Sequence, residues 1–538
     1  MKISPNELPG ANKLFRDYIV NFDLVEKFYN IPFQDEKAIA SHIEIVGGRN
    51  YPAEALAKIL TQQNKNFGAS NKTYENIEKL KEGRAFVVIT GQQVGLFGGP
   101  MYVLYKALTV IKLADRWSRL FEKCFVPVFW LAADDSDFEE VNHISFLNKD
   151  SQNTTTQIEK TLSGNIPMAQ MRIGEQINET LDELANGLHD TEFKSDILES
   201  LRSAYHSEAS LSEAFGCWMM HLLKDFGLII IDPTHSRIKT LVSQIFIEEI
   251  REKSPSTRAV LQTSKALNQK GYTPQVPLRE GRLNLFYLDN QRKPLEFIND
   301  KVQTTDGGST FSHGELLEVA RTKPERFSPN VVLRALTQDT LFPTIAYVAG
   351  PSEICYFAQL KGVYEHFQIP MPVIYPLKSL TIVEPAIDRI IDKFNLKIND
   401  IWGNIDQHIV DIARQSLPET LTNMLSQIKS EWPLALQALH DDVRSVDPTL
   451  LRMLENTGGK IVNTIDRLEK KIIQAGQRKN EVARQQLNKA ASAIYPNHAL
   501  QERVHNFTPY LIKYGPLFVE RIYELLDIGD YHHQIVRL

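Results

Sequence analysis

Ala85-Phe-Val-Val-Ile-Thr90 is a short continuous apolar run, and a glycine-rich segment follows it at once. A run of that length without polar alternation fits a strand buried on both faces, as in a parallel sheet. After the turn Thr90-Gly-Gln-Gln-Val-Gly-Leu-Phe-Gly-Gly-Pro100 the pattern becomes helical from about Met101 to Arg119. Phe125 to Ala132, FVPVFWLA, reads as the next strand. Strand, turn, helix, strand is a βαβ unit, so the fold class is α/β.

The rest of the chain extends that unit. Gly227–Ile231, Thr344–Gly350 and Pro370–Tyr375 are further strand candidates, and helices are predicted over 210–226, from Ser236 onward and over 351–367. Residues 1–80 read as helical and polar. About 148–210 and about 255–325 read as insertions, the second holding a hairpin over 283–297 with Asp289-Asn290 near its tip. From 385 to 495 no strand is expected. Ile461, Ile465, Leu468 and Ile472 step by four, three and four there, with Ala475 and Val482 continuing the register, as in a coiled-coil seam. The aromatic tail 496–538 is expected to fold back on the body. The expected domains are therefore an interrupted core over 1–384, a helical arm over 385–495 and that tail.

Composition narrows the function classes. The chain has 538 residues, 43% of them hydrophobic, and at roughly 150 residues per domain that supports two or three cores. The formal net charge of −6 gives no basic excess, so nucleic acid is not an expected partner. No apolar run is long enough for a membrane span, and Met1–Gly10 is not a signal peptide, so a cytoplasmic location is expected. Cys124, Cys217 and Cys355 are far apart with no CxxC, which fits buried free thiols and excludes a cysteine zinc knuckle.

Chemistry is expected at the strand ends. Ligands of open α/β sheets bind beyond the carboxyl ends of the strands. Glycines allow close backbone approach, and a helix N-terminus suits phosphate or carboxylate. Thr90, Gly91, Gly95, Phe97, Gly98, Pro100 and Lys106 are binding candidates on this ground, with Gln92 and Gln93 as side-chain donors and acceptors. The segment is neither a P-loop nor a GxGxxG fingerprint, and a purely structural glycine turn is the alternative. Asp134, Asp135, Asp137, Glu139 and Glu140 crowd the end of the second strand. Some can cap a helix, but the cluster also suits an amine, a sugar hydroxyl or Mg²⁺. Gly350 and Glu353 form a third strand–turn–helix, with Ser352 read as its cap. Asn330, Arg334, Tyr375 and Lys378 are placed near the same cleft, Arg334 or Lys378 as a carboxylate clamp.

ITGQQVGLFGGPMYVLYKA (89–107), PVFWLAADDSDFEEVNHI (127–144), FSPNVVLRALTQDTLFPTIAYVAGPSEICYFAQL (327–360) and YPLKSLTIVE (375–384) resemble the bacillithiol biosynthesis cysteine-adding enzyme family, BshC. The resemblance covers nearly the whole chain. It implies a Rossmann-like, nucleotidyltransferase-type parallel sheet with two connecting insertions and an α-helical coiled-coil arm that makes a homodimer. It implies a ligase that joins L-cysteine to the amine of glucosaminyl-malate, the last step of bacillithiol synthesis.

Activating a carboxylate needs energy, so ATP or another nucleotide is the expected cofactor, with Mg²⁺ as a companion and no zinc. The 90–100 loop and Lys106 would stabilise phosphate charge. Gln92, Gln93, Asp135 and Asp137 are the catalytic candidates, an acid binding an ammonium group or taking a proton. Class I synthetases carry His-x-Gly-His after the first strand, whereas Gly91-Gln92-Gln93 has no histidine. Cysteinyl-adenylate and cysteinyl-phosphate routes both stay open. A nucleotidyltransferase acting on another small acid or sugar, and a non-catalytic scaffold, are the other readings.

Overall fold

The computed structural model describes residues 1–299, 301–415, 417–479 and 481–538. Its centre is a five-stranded parallel sheet built from β1 (Ala85–Gln92), β2 (Cys124–Leu131), β3 (Ile229–Ile231), β4 (Thr344–Ala349) and β5 (Val373–Pro376). The strand order is β5-β4-β1-β2-β3. Val87, Val88 and Ile89 are fully buried, as residues of a central strand covered on both faces must be. β1 and β2 stay in register from Ala85 beside Cys124 to Gln92 beside Leu131. Helix α1 (Met101–Leu120) makes the crossover between them.

The strand order creates the site. The chain moves outward from β1 through β2 to β3, then returns to place β4 on the other side of β1. Connections leaving β1 and β4 therefore diverge over opposite faces, and a crevice opens beyond their carboxyl ends. Helices α2 (Val331–Leu341) and α3 (Pro351–Phe357) flank that crevice.

Two long stretches of chain separate strands of the parallel sheet, one between β2 and β3 and one between β3 and β4. The first opens with the antiparallel pair His143–Leu147 and Asn153–Gln157 and continues into helices Ile177–Gly187 and Lys194–Ala204. The second is more than the expected hairpin. Arg282–Leu288, Arg292–Ile298, Lys301–Thr304, Thr310–Ser312 and Phe327–Pro329 form a five-stranded antiparallel sheet. Its three shortest strands have three or four residues, too few for a period of two to register.

The chain divides into two compact units, Met1–Thr381 with Leu500–Val536, and Ile382–Ala499 with Arg537–Leu538. The second unit holds α4 (Ile398–Gln415), α5 (Glu419–Ala438), α6 (Leu451–Lys479) and α7 (Glu481–Ile494). Lys429 pairs with Asp466 at 2.7 Å and with Glu469, and Leu436 packs on Gly458. Rising numbers on α5 meet falling numbers on α6, so the two helices are antiparallel. Ile461, Ile465 and Ile472 of the expected seam are half-buried, while Leu468, Ala475 and Val482 are exposed. No helix among the described residues is long and apolar enough to cross a membrane.

The segment after Leu500 packs within the first unit. Lys2–Ile3 pairs antiparallel with His533–Gln534. Asn506 Nδ2 donates to the carbonyls of Phe97 (3.0 Å) and Gly99 (2.6 Å), and Met101 N donates to His505 O at 2.8 Å. All three cysteines are free, but only Cys355 is buried. Cys124 opens β2 at the rim of the sheet, and Cys217 lies on the partly exposed side of helix Leu211–Leu223, so both are half-buried rather than buried as expected.

Gly98 has φ +86°, and a Cβ there would sit 2.5 Å from the buried ring of Phe507. Gly83, at φ +67°, has nothing within 4 Å. Gly83→Ala should cost about 1 kcal/mol from backbone strain alone. Gly98→Ala should cost about 1–3 kcal/mol more from overpacking. Urea unfolding of both variants tests this, and equal costs would show that the tail does not pack against the loop.

Candidate active site

The crevice at the switch point is a cavity of about 290 Å³ lined by Gln92, Tyr102, Lys106, Arg334, Glu353 and Arg503, among others. Gly91 ends β1 beside it. A Cβ at Gly91 would stand 3.3 Å from Trp130 O and 3.4 Å from an Arg334 nitrogen, so a side chain there would crowd that guanidinium.

Lys106 sits on the buried face of α1, 2% exposed. Its Nζ donates to Gly91 O (2.9 Å) and Gln92 Oε1 (3.0 Å) and pairs with Glu353 Oε2 (2.5 Å). Burial lowers its pKa against the pull of Glu353, and Arg503 and Arg334 push the same way as burial. Gln92 Nε2 donates to Tyr102 OH at 2.7 Å, and Tyr102 lies one turn before Lys106 on α1. Glu353 also accepts from Gly350 N and Tyr347 OH, both at 2.7 Å. Gly350, not Ser352, is the cap of α3, and Glu353 closes it from within the first turn.

Arg334 projects from the first turn of α2. It donates to Gln338 Oε1 (3.3 Å), Tyr356 OH (3.0 Å) and, at 3.5 Å, Tyr347 OH. Burial works against its charge, but Tyr347, Tyr356 and Glu353 outweigh it and hold the guanidinium above its ordinary pKa. Burial pushes Tyr102 and Tyr356 up to about 12. Three cations, Lys106, Arg334 and Arg503, thus face one carboxylate, Glu353, around this cavity. Such a lining suits an anionic ligand.

A second cavity of about 300 Å³ adjoins the first at the end of β2 and shares Ala132, Val331 and Arg334 with it. Trp130, Asp134, Asp135, Phe286, Arg292 and Asn330 complete its wall. Asp134 is paired with buried Lys239 at 2.7 Å. Asp135 accepts from Gln93 Nε2 (2.9 Å) and Arg292 (3.4 Å). Gln93 also donates to Glu140 at 2.7 Å, bridging two acids. Asp137 is exposed at the rim, and partial burial together with Asp135 and Glu140 raises its pKa. Asn330 caps α2 through Val332 N (3.0 Å) and donates to Asn284 Oδ1 (2.6 Å), so its side chain is committed to structure.

Several expected binding residues lie elsewhere. Thr90 is buried and donates to Val348 O at 2.8 Å. Gly95, Phe97, Gly98 and Pro100 line neither cavity. Tyr205 OH donates to Gly95 O (3.1 Å) and accepts from Gly98 N (3.0 Å), with its ring edge-on to Phe97. The loop therefore turns inward, and Met101 N of α1 is already bonded to His505 O instead of awaiting an anion. Tyr375 and Lys378 also miss the cleft. Tyr375 OH donates to Ile528 O (2.5 Å), and Lys378 Nζ donates to the carbonyls of Asp530 (2.8 Å) and His532 (2.7 Å). Residues 527–533 cover the carboxyl end of β5 there, and burial pushes Lys378 down to about 8.

The cleft also holds residues that sequence reasoning missed. Tyr102 shares the Lys106 face of α1, a spacing of four that could have been read. Tyr347 and Tyr356 flank the Gly350 turn. Lys239, Arg292 and Arg503 come from distant segments with no local signal. Among the described residues, Glu248, Glu252 and His366 cluster closely enough to hold a metal ion, and none of them lines the cleft.

Comparison with known proteins agrees with this architecture. The family model for the bacillithiol biosynthesis BshC N-terminal Rossmann-like domain matches residues 1–378, and that for the BshC C-terminal coiled-coil domain matches 380–538. A Salinibacter ruber protein named "Putative cysteine ligase BshC" is 33% identical over 535 residues, 99% of this chain and 97% of its own. Its namesakes are 34% identical in Chloroherpeton thalassium (96% and 94% covered) and 29% identical in Geobacillus kaustophilus (100% of both).

The buried pair at the centre of the cleft yields a stability prediction. Lys106→Met strands the Glu353 carboxylate and should destabilise the protein by about 3–5 kcal/mol. Adding Glu353→Gln should recover on the order of 1–3 kcal/mol relative to the sum of the single changes. A double-mutant cycle by urea unfolding measures this, and simple additivity would contradict the pairing.

Proposed function

The chain belongs to the bacillithiol biosynthesis BshC family, and from that membership we propose that it is a cysteine ligase. It forms the amide between the carboxyl group of L-cysteine and the amine of glucosaminyl-malate, the last step of the pathway. The observation that carries this reading is the paired cavity. A cation-lined chamber and a chamber whose wall sets Asp134 and Asp135 beside Arg292 meet at Ala132, Val331 and Arg334. Joining a carboxylate to an amine needs both environments side by side.

Condensing the two groups expels the elements of water, so a carboxylate oxygen must first become a leaving group. ATP would supply that activation, and the excess of cations over carboxylates in the first chamber fits its phosphates. Mg²⁺ would be held by Asp137 and Glu140, whose mutual repulsion a divalent cation relieves. Arg334 lies at the partition and has guanidinium hydrogens beyond the three hydrogen bonds described. It binds the oxygens on which charge develops. Lys106 has all three protons engaged, so it supplies positive field and fixes Gly91, Gln92 and Glu353 in place. Asp135 meets the substrate ammonium group. The amine must lose a proton as its nitrogen bonds to the acyl carbon, and Asp135, already beside it, is the carboxylate placed to accept it.

The helical arm completes the reading as a homodimerisation element. Met424, Leu434, Met453 and Val482 are more than 60% exposed there, an apolar surface that a second copy would cover. Light scattering should give twice the 61.4 kDa chain mass, and a monomer at micromolar concentration would contradict this.

The decisive assay is incubation with L-cysteine, glucosaminyl-malate and each nucleotide in turn. A new thiol of the summed mass less water is expected with at least one of them. Arg334→Met should lower kcat/KM by about 10²–10³-fold. No thiol product with any nucleotide would end the ligase reading.

A further inference from the structure

Arg503 is the cleft cation for which the mechanism above has no task. Lys106 has no proton to spare, and Arg334 spends three hydrogen bonds on Gln338, Tyr347 and Tyr356. Among the described residues, the Arg503 guanidinium makes no side-chain hydrogen bond and no salt bridge. It lies over the Tyr102 ring, 4.9 Å from the centroid, with one nitrogen 3.8 Å from where a Cβ at Gly350 would stand. A half-buried guanidinium with five unspent donors, held over an aromatic face in a cation-rich cavity, is built to receive an anion.

Its placement depends on a buried chain of hydrogen bonds. Arg503 belongs to the four-residue helix α8 (Gln501–Val504). Its neighbour Glu502 is 2% exposed and points the other way, since adjacent helical residues differ by about 100°. Glu502 Oε1 accepts from Ser379 Oγ at 2.6 Å and Oε2 from Leu380 N at 2.9 Å. With its proton given to Glu502, Ser379 Oγ accepts from His533 Nδ1 at 2.7 Å. His533 Nε2 then accepts from Thr381 Oγ1 at 2.9 Å. A neutral His533 with its proton on Nδ1 satisfies this order from Glu502 through Ser379 to Thr381. Burial and Lys378 keep His533 neutral, as that order requires.

We propose that Arg503 is the anion receptor of the cleft, and that Glu502, Ser379 and His533 are positioning residues that aim it there. The ligand group is a doubly charged oxyanion, from either a nucleotide phosphate or a dicarboxylate. This deepens the ligase reading by naming the residue that selects the charged part of a substrate.

The test is calorimetric titration of the full chain with pyrophosphate and, separately, with L-malate. Wild type should bind one of them, which also assigns the source of the oxyanion. Arg503→Gln should weaken that binding on the order of ten- to a hundredfold, and Arg503→Lys should fall between the two. Ser379→Ala should weaken it less and raise KM while leaving kcat near wild type, a split that general destabilisation does not produce. If Ser379→Ala does not fold, the Arg503 pair still decides, because that side chain is half-buried at the cleft. Equal affinity in Arg503→Gln and wild type, or wild type binding neither anion, overturns the proposal. No cysteine is present in these titrations. Arg503-dependent anion binding here, together with no thiol product in the ligation assay, would therefore overturn the ligase reading alone.

Discussion

The cleft depends on one buried ammonium. Lys106 is sunk in α1, where desolvation alone would drive off its charge. It stays in place because three acceptors converge on it: the end of β1, the Gln92 side chain, and Glu353 at the end of β4. These come from the two strands between which the sheet reverses direction. The ion pair thus ties together the two lips of the crevice that strand order has opened. Tyr102, Tyr347 and Arg334 are then fixed by partners that Lys106 has already fixed.

Around that centre the chain separates two electrostatic environments within one opening. Cations gather beyond β1 and β4, and acids gather beyond β2. The acids are moderated: Lys239 neutralises Asp134, and Arg292 from the second insertion partly neutralises Asp135. The second insertion and the C-terminal segment are not decoration on the parallel-sheet core. Each places a charged side chain at the cleft or beside it.

Much of the fold was legible because central parallel strands are continuous apolar runs, and Val87, Val88 and Ile89 are buried as that pattern requires. Gln92, Gln93, Asp135 and Glu353 were legible from one rule, that ligands meet strand ends. The same rule misled at Tyr375 and Lys378, because an outer strand's end can be capped by later chain, here residues 527–533. It misled again over the glycine loop, whose backbone groups are satisfied inside the protein by Tyr205 and Asn506. Arg503 and Arg292 were invisible because only tertiary packing brings them near, and no periodicity encodes that. The three- and four-residue strands of the second insertion were too short to reveal a period.

The Asn506 contact with the glycine loop has a consequence for how the protein is made. The two hydrogen bonds to Phe97 and Gly99 span more than 400 residues. A nascent chain on the ribosome can complete its parallel sheet well before residues 500–536 emerge, yet its glycine loop then lacks the partners that fix it. Closing so distant a contact is entropically slow. The glycine loop is therefore fixed late, and Arg503 reaches the cleft at the same stage, long after the strands that flank it have paired.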